Sequence, residues 1–117
     1  MYKVLYDKTI ELSPDNEIYI PFENLQAGDI VTISCATTDG SYCYFGFYSR
    51  EDYFKRRKIV FDFQKGSGKP LVDLTKPTFT KREKITESDD WYLVVRRSMW
   101  ASGPSKVEIK VKKNRGE

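Results

Sequence analysis

Hydrophobic and polar positions alternate along most of the chain with a period of two residues. In NEIYIPF the apolar residues Ile18, Ile20 and Phe22 fall on one face. The same alternation recurs in KTIELS, DIVTISC, YCYFGFYS, KIVFDF, WYLVVRR and SKVEIKVKK. Because neighbouring side chains of a strand point to opposite faces, this pattern predicts about eight short strands. Their spacing is typical of an all-β fold, a single antiparallel β-sandwich.

The alternation also assigns residues to the core. The apolar residues predicted to face inward are Ile10, Leu12, Ile18, Ile20, Phe22, Val31, Ile33, Cys35, Cys43, Phe45, Phe47, Ile59, Phe61, Phe63, Trp91, Leu93, Val95, Val107, Ile109 and Val111. In the last strand Lys106, Glu108, Lys110 and Lys112 are predicted to face outward. Pro21 lacks an N–H donor, so its strand either ends there or lies at a sheet edge. Gly28 in LQAGD is predicted to take a positive φ in a turn.

Residues 29–49 have the pattern of a β-hairpin around Asp39 and Gly40. A two-residue turn there would point the inward residues of the two arms to opposite faces. An odd-length loop, Thr38 to Gly40 with a bulge, puts both arms into the core, and we predict this loop. It also brings Cys35 near Cys43.

Three segments depart from the alternation. In SREDYFKRRK, Ser49 followed by Asp52 fits an N-terminal cap and predicts at most a short helical turn near residues 50–57. Residues 64–77, QKGSGKPLVDLTKP, have the composition of a loop, whereas FTKREKI is predicted to be an exposed strand. We predict one domain over residues 1–117, with residues 113–117 as a frayed tail.

Composition excludes several classes of function. The 117 residues include 20 basic and 17 acidic ones but no histidine. The absence of histidine removes most hydrolase triads and His-containing metal sites. The net charge of +3 is too small to indicate a nucleic-acid partner. No apolar stretch fits a signal peptide or a membrane span, which predicts a soluble, cytoplasmic protein. A secreted form whose signal had been removed would look the same.

No motif for catalysis or for a cofactor is complete. KGSGKP differs from a phosphate-binding P-loop, because Phe63 stands where its first glycine is needed and Pro70 follows Lys69. Two cysteines without a histidine lack the usual activating base and are too few for zinc. We predict that Cys35 and Cys43 are reduced core residues, with a disulfide left open. The chain is therefore predicted not to be an enzyme and to need no cofactor or metal.

Several segments together resemble a known domain. They are IPFENLQAGDIVTISC, the aromatic YCYFGFYS, and DDWYLVVRRS before a final alternating strand, within residues 8–112. Their order resembles the GOLD-like β-sandwich, the lumenal domain of the p24 (emp24) cargo-receptor family. The resemblance implies a sandwich used for protein–protein contact and no catalytic residue. The signal peptide, coiled coil and membrane anchor of that family are missing here, and its cysteine pair is spaced differently, so cargo sorting is not implied.

Two groups of residues are candidates for binding. Trp100 lies in the loop SMWASGP beside Arg96 and Arg97, and aromatic and arginine residues are frequent interface hot spots. The second group combines tyrosines expected on an exposed strand face, Tyr42, Tyr44 and Tyr48, with the segment of a basic turn, Tyr53, Lys55, Arg56, Arg57 and Lys58. Trp100 plugging the sandwich, and cross-strand packing of the tyrosines, are the structural alternatives.

The sequence thus favours a non-catalytic binding or assembly module that contacts another protein or a second copy of itself through an edge strand. The alternative is a small-ligand module that binds carbohydrate or an anionic polymer through the tyrosines and the basic turn.

Overall fold

Eight strands and one short helix make up the computed structural model, which describes residues 2–55, 70–97 and 101–114. The helix, α1, comprises residues 50–55 of the described chain. The strands are β1 (Tyr2–Leu12), β2 (Glu17–Leu25), β3 (Ile30–Thr37), β4 (Cys43–Ser49), β5 (Val72–Lys76), β6 (Thr78–Lys84), β7 (Asp89–Arg97) and β8 (Ser105–Asn114). The predicted all-β sandwich with a short helical turn is confirmed.

The strands form two antiparallel sheets of four strands each. Sheet 1 has the order β1-β8-β3-β6 and sheet 2 has the order β2-β7-β4-β5. The faces that the alternation predicted to point inward meet between the sheets. Leu93 and Val95 of sheet 2 and Val107 and Val111 of sheet 1 are completely buried there. Burial of these side chains, at about 25 cal/mol per Å² of apolar surface, is the main favourable contribution to folding.

The predicted hairpin of residues 29–49 is wrong, because its two arms lie in different sheets. β3 pairs with β6 and β8, whereas β4 pairs with β5 and β7. Residues 38–42 carry the chain from sheet 1 across to sheet 2. Both sheets pack on one core, so Cys35 and Cys43 both point inward without any odd-length loop. Alternation fixes which face of a strand is buried but not which strand is its neighbour.

Two further expectations differ from the structure. β5 lies within the segment expected to be a loop, where Val72 and Leu74 turn toward the core as β5 pairs with β4. β8 continues through Lys113 and Asn114, which were expected to fray, because β1 and β3 pair with them from both sides. The expected strand with Ile59, Phe61 and Phe63 lies outside the described residues.

Helix α1 lies against the outer face of sheet 2. The Ser49 hydroxyl lies 3.2 Å from a carboxylate oxygen of Asp52 and 3.4 Å from its backbone N–H, which is the predicted N-terminal cap. The Tyr53 ring stacks on Tyr92 with ring centres 4.4 Å apart. Tyr48, Tyr53 and Val94 thereby form a second, smaller buried cluster outside the main core.

Each edge strand has a feature that hinders pairing with another chain. β2 is an edge strand and contains Pro21, as one of the two alternatives for that proline predicted. The register of β1 shifts at Leu5, and β5 has only five residues. On β6 the partners of the buried Val31 and Ile33 are the charged Glu83 and Lys81. The described edges thus disfavour self-association by strand addition.

A test of the outer face of sheet 2 uses Gly46, over which two tyrosine rings lie. A Cβ added at Gly46 would lie 2.5 Å from both Tyr44 Oη and Tyr48 Cε1. Gly46→Ala should therefore lower the free energy of unfolding by about 1–3 kcal/mol, measured by urea denaturation.

The control is the same substitution in a background with Tyr44→Ala and Tyr48→Ala, where the overlap is absent. In that background Gly46→Ala should lower the free energy of unfolding by less than about 0.5 kcal/mol. An equal loss in both backgrounds would mean that the backbone of β4, and not the two rings, requires glycine.

Candidate functional site

Three loops meet at one end of the sandwich, which we call the loop end: residues 13–16, 38–42 and 101–104. The backbone N–H of Asp15 donates to the Arg97 carbonyl (3.1 Å), and the Arg97 N–H donates to the Asn16 carbonyl (3.0 Å). Thr38 N–H donates to the Lys106 carbonyl at 2.9 Å. These bonds tie the first two loops to β7 and β8, so the loop end is held by both sheets.

The side chain of Arg97 organises this end from within. It is only 3% exposed. Its Nε donates to the Gly103 carbonyl at 2.8 Å and its Nη1 donates to the Ser41 hydroxyl at 2.7 Å. A buried charge is tolerated only when its donors are paired, and these bonds pair them with two different loops.

Asp39 completes the network through hydroxyl groups. Its Oδ1 accepts from the Ser41 hydroxyl (2.6 Å), the Ser41 N–H (3.0 Å) and the Ser105 hydroxyl (2.8 Å). These bonds, the Ser41 hydroxyl first, and to a smaller extent the positive charge of Arg97 lower the pKa of Asp39 from 3.8 to about 2. The Arg97 guanidinium and the Asp39 carboxylate are thus joined through one serine hydroxyl.

Two predicted binding residues are displayed at the loop end. Tyr42 follows Ser41 directly and is 64% exposed, although it is a large aromatic residue. Arg96 points to solvent, with its Nη2 3.2 Å from a carboxylate oxygen of Asp15. Because both of those side chains are about half exposed, this ion pair adds little stability. The loop end therefore exposes an aromatic ring and a guanidinium next to loops that are hydrogen-bonded to β7 and β8.

The other residues predicted to bind a partner, the tyrosines and the basic turn, do not form one exposed surface among the described residues. Tyr48 is 4% exposed, so it does not lie on an exposed tyrosine face and the alternative of aromatic packing holds for it; Tyr53, next to the basic turn, is also 4% exposed. Tyr44 is half-buried and its hydroxyl is hydrogen-bonded to that of Tyr48. Lys55 is exposed and pairs with Glu51 at 3.0 Å, which raises the pKa of Lys55. Arg56, Arg57, Lys58 and Trp100 lie outside the described residues.

Arg97 was predicted to be a surface residue beside Arg96, whereas it is buried and hydrogen-bonded to Ser41 and Gly103. Arg97 continues the inward series Trp91, Leu93 and Val95, so the alternation itself could have indicated its burial. Asp39 was considered only as a turn residue, and Ser41 and Ser105 carry no local signal. Their role follows from the crossing of the chain between the sheets, which sequence analysis did not predict.

Both cysteines are buried and reduced in the structure, as predicted. Burial, and to a lesser extent the nearby Cys43, raises the pKa of Cys35 to about 12. Burial also raises the pKa of Cys43, against a smaller opposing effect of Arg97. Since the thiolate is the reactive form, neither residue is suited to nucleophilic chemistry near neutral pH.

A metal site and a membrane-spanning helix are both absent from the described part of the chain. Within residues 2–55, 70–97 and 101–114, no three acidic or cysteine side chains are grouped so that they could hold a metal ion. In the same part of the chain, no helix is both long and apolar enough to cross a membrane.

Comparisons with known proteins give a fold and not a family. No family model and no curated protein matches the chain. Among solved structures, the chain is similar to PliG of Aeromonas hydrophila, a periplasmic inhibitor of g-type lysozyme. The TM-score is 0.65 at 10% identity, and the match covers 93% of this chain and 85% of the inhibitor. At that identity the likeness shows the β-sandwich alone, and the resemblance to the GOLD-like domain stays a prediction.

The role of Arg97 can be tested against its exposed neighbour. Arg97→Ala removes a buried cation and leaves the Ser41 hydroxyl and the Gly103 carbonyl without this donor, so it should lower the free energy of unfolding by about 2–4 kcal/mol. Arg96→Ala, the control, should cost less than about 1 kcal/mol in the same denaturation experiment. Equal effects of the two substitutions would contradict a structural role of the buried guanidinium.

The network also predicts a dependence on pH. The pKa of Asp39 is lower in the folded chain, so its carboxylate contributes stability above the unfolded pKa, and this is lost as pH falls toward 2. The stability advantage of the native chain over Asp39→Asn should therefore be constant at neutral pH and shrink between about pH 4 and 2. This difference in the free energy of unfolding is measured from denaturation curves of both chains at several pH values.

A direct check is an NMR titration of the Asp39 carboxyl carbon, which should give a midpoint near pH 2. In Ser105→Ala, where one donor is lost, the midpoint should move up. An unshifted midpoint in the native chain would show that the hydroxyl network does not persist in solution.

Proposed function

We propose that this chain is a non-catalytic protein-binding domain and that its partner contacts the loop end. The observation that carries the proposal is Tyr42, 64% exposed in a loop whose neighbouring residues Asp39 and Ser41 are fixed by the buried Arg97. A loop that is held by hydrogen bonds before binding loses less conformational entropy when a partner covers it.

The types of the displayed residues support a protein as the partner. Tyrosine and arginine are enriched among interface hot spots, and Arg96 is displayed at the same end as Tyr42. Loops supported by a rigid scaffold are where binding residues concentrate. The similar fold of PliG, an inhibitor of g-type lysozyme, is a precedent for protein binding by such a sandwich and makes a g-type lysozyme the first defined partner to test.

The absence of catalysis is part of the proposal. It is supported by the raised pKa values of both buried thiols. The small-ligand alternative receives less support, since Tyr48 and Tyr53 lie under other side chains. The predicted cytoplasmic location and the GOLD-like relationship remain predictions.

The test compares Tyr42→Ala with Tyr2→Ala. Tyr2 is 56% exposed but lies at the other end of the sandwich, so it is a matched control. Immobilised chains are exposed to purified g-type lysozyme and, separately, to a lysate of the source organism, at low and high salt. A protein held by the native chain should be held equally by Tyr2→Ala and at least tenfold less by Tyr42→Ala, about 1.4 kcal/mol.

Arg96→Ala should weaken the same interaction, with a larger share of its effect at low salt because the charge is exposed. Equal binding by Tyr42→Ala, Arg96→Ala and Tyr2→Ala would place the interface elsewhere. If no protein is retained from either source, the proposed function is wrong.

A further inference from the structure

The outer face of sheet 1 has a different chemistry from the loop end. On β8, Ile109 and Val111 are buried, so Lys110 and Lys112 point outward. On β6 the outward residues at the same end of the sheet are Arg82 and Lys84. β3 runs between these two strands, so the four cations stand on both sides of it.

The register places the cations close to one another. Lys112, Thr32 and Arg82 form one row across the three strands, and Lys110 lies in the next row with Ser34. Lys84 is opposite Ile30, one row beyond Arg82. Since strands are about 4.8 Å apart, the cations on β8 and those on β6 are separated by roughly 10 Å.

None of these four cations forms an ion pair with a carboxylate of residues 2–55, 70–97 and 101–114. Asp7 is opposite Lys110 on β1 but is not within ion-pair distance. Lys112 instead places its ammonium 4.6 Å from the ring centre of Tyr2. The ion pair between Lys81 and Glu83 belongs to the other face of β6.

The side chains that lie between the cations are short, so the surface there is recessed. The outward residues of β3 beside them are Ile30, Thr32 and Ser34, whose side chains are shorter than those of lysine and arginine. A depression of about 370 Å³ on the same face is lined by Ser34, Thr80 and Lys110, and also by the carboxylates of Asp7, opposite Lys110 on β1, and Glu108, one row nearer the loop end. The face therefore forms a shallow channel along β3, whose cationic walls lie at the end farther from Glu108.

We propose that this channel binds an extended, acidic segment of a protein, which lies along β3 between Lys110 and Lys112 on one side and Arg82 and Lys84 on the other. Cations two residues apart on a strand repeat every 6.6 Å or so. An extended peptide has the same repeat, and its successive side chains point alternately to the two sides. Acidic residues at successive positions would thus meet both walls.

The same geometry disfavours a single-stranded nucleic acid as the occupant. Proteins that bind single strands combine cations with aromatic rings on which bases stack. The outward positions of β3 and β6, and those of β8, contain no aromatic residue, and Tyr2 is at the rim under Lys112. The channel offers charge and hydroxyl groups, which fit carboxylates.

The experiment measures fluorescence anisotropy of a labelled peptide of six glutamates at low salt. The double variant Arg82→Gln/Lys112→Gln should bind it at least tenfold more weakly than the native chain. The control, Lys55→Gln/Lys76→Gln, removes the same charge from exposed positions on other elements and should change affinity less than about twofold. All four positions are exposed or half-exposed, so both variants should fold.

Three outcomes would overturn the proposal. They are no binding of the glutamate peptide by the native chain, equal weakening by both double variants, and tighter binding of an oligothymidylate than of the peptide. The surface is separate from the loop end, so Tyr42→Ala should leave peptide binding unchanged. The two proposals can therefore fail independently.

Discussion

The buried guanidinium of Arg97 is the interaction on which the loop end depends. A cation with 3% exposure has lost its hydration and must be compensated by protein groups. The Gly103 carbonyl and the Ser41 hydroxyl provide that compensation, and they come from two different loops. Arg97 therefore couples the crossing between the sheets to the end of β7. Without it the loop that carries Tyr42 would lose this hydrogen bond to β7 and would keep the bonds of Thr38 and Asp39 to β8.

Charge balance in this network is indirect. Asp39 carries the compensating negative charge, but it reaches Arg97 through the Ser41 hydroxyl. Three hydrogen bonds to one carboxylate oxygen keep Asp39 ionised to low pH. Asp39 can thus remain at the surface, where its charge is solvated, while the guanidinium stays inside. This arrangement avoids the full desolvation of two charges that a buried salt bridge requires.

The sequence predicts the faces of the strands better than their partners. Alternation identified the inward residues of β2, β7 and β8, since burial of one face is a local property with a period of two. It could not show that β3 and β4 belong to different sheets, because either topology buries Cys35 and Cys43. The alternation also did not predict β5, because only Val72 and Leu74 of its five residues are apolar. For Tyr48 the alternation was correct in face, but Tyr53 of helix α1 packs into the same outer cluster and buries it, which is a tertiary effect.

The four edge strands limit how this sandwich can meet other molecules. Pro21 in β2, the shift at Leu5 in β1, the inward charges of β6 and the shortness of β5 each interrupt the row of free backbone groups that strand addition needs. Recognition is then left to side chains at the loop end and on the outer sheet faces. Those surfaces differ in kind: one displays Tyr42 and Arg96 on a fixed loop, and the other displays unpaired cations at regular spacing. Shape and aromatic contact would dominate at the first, and salt-sensitive charge attraction would dominate at the second.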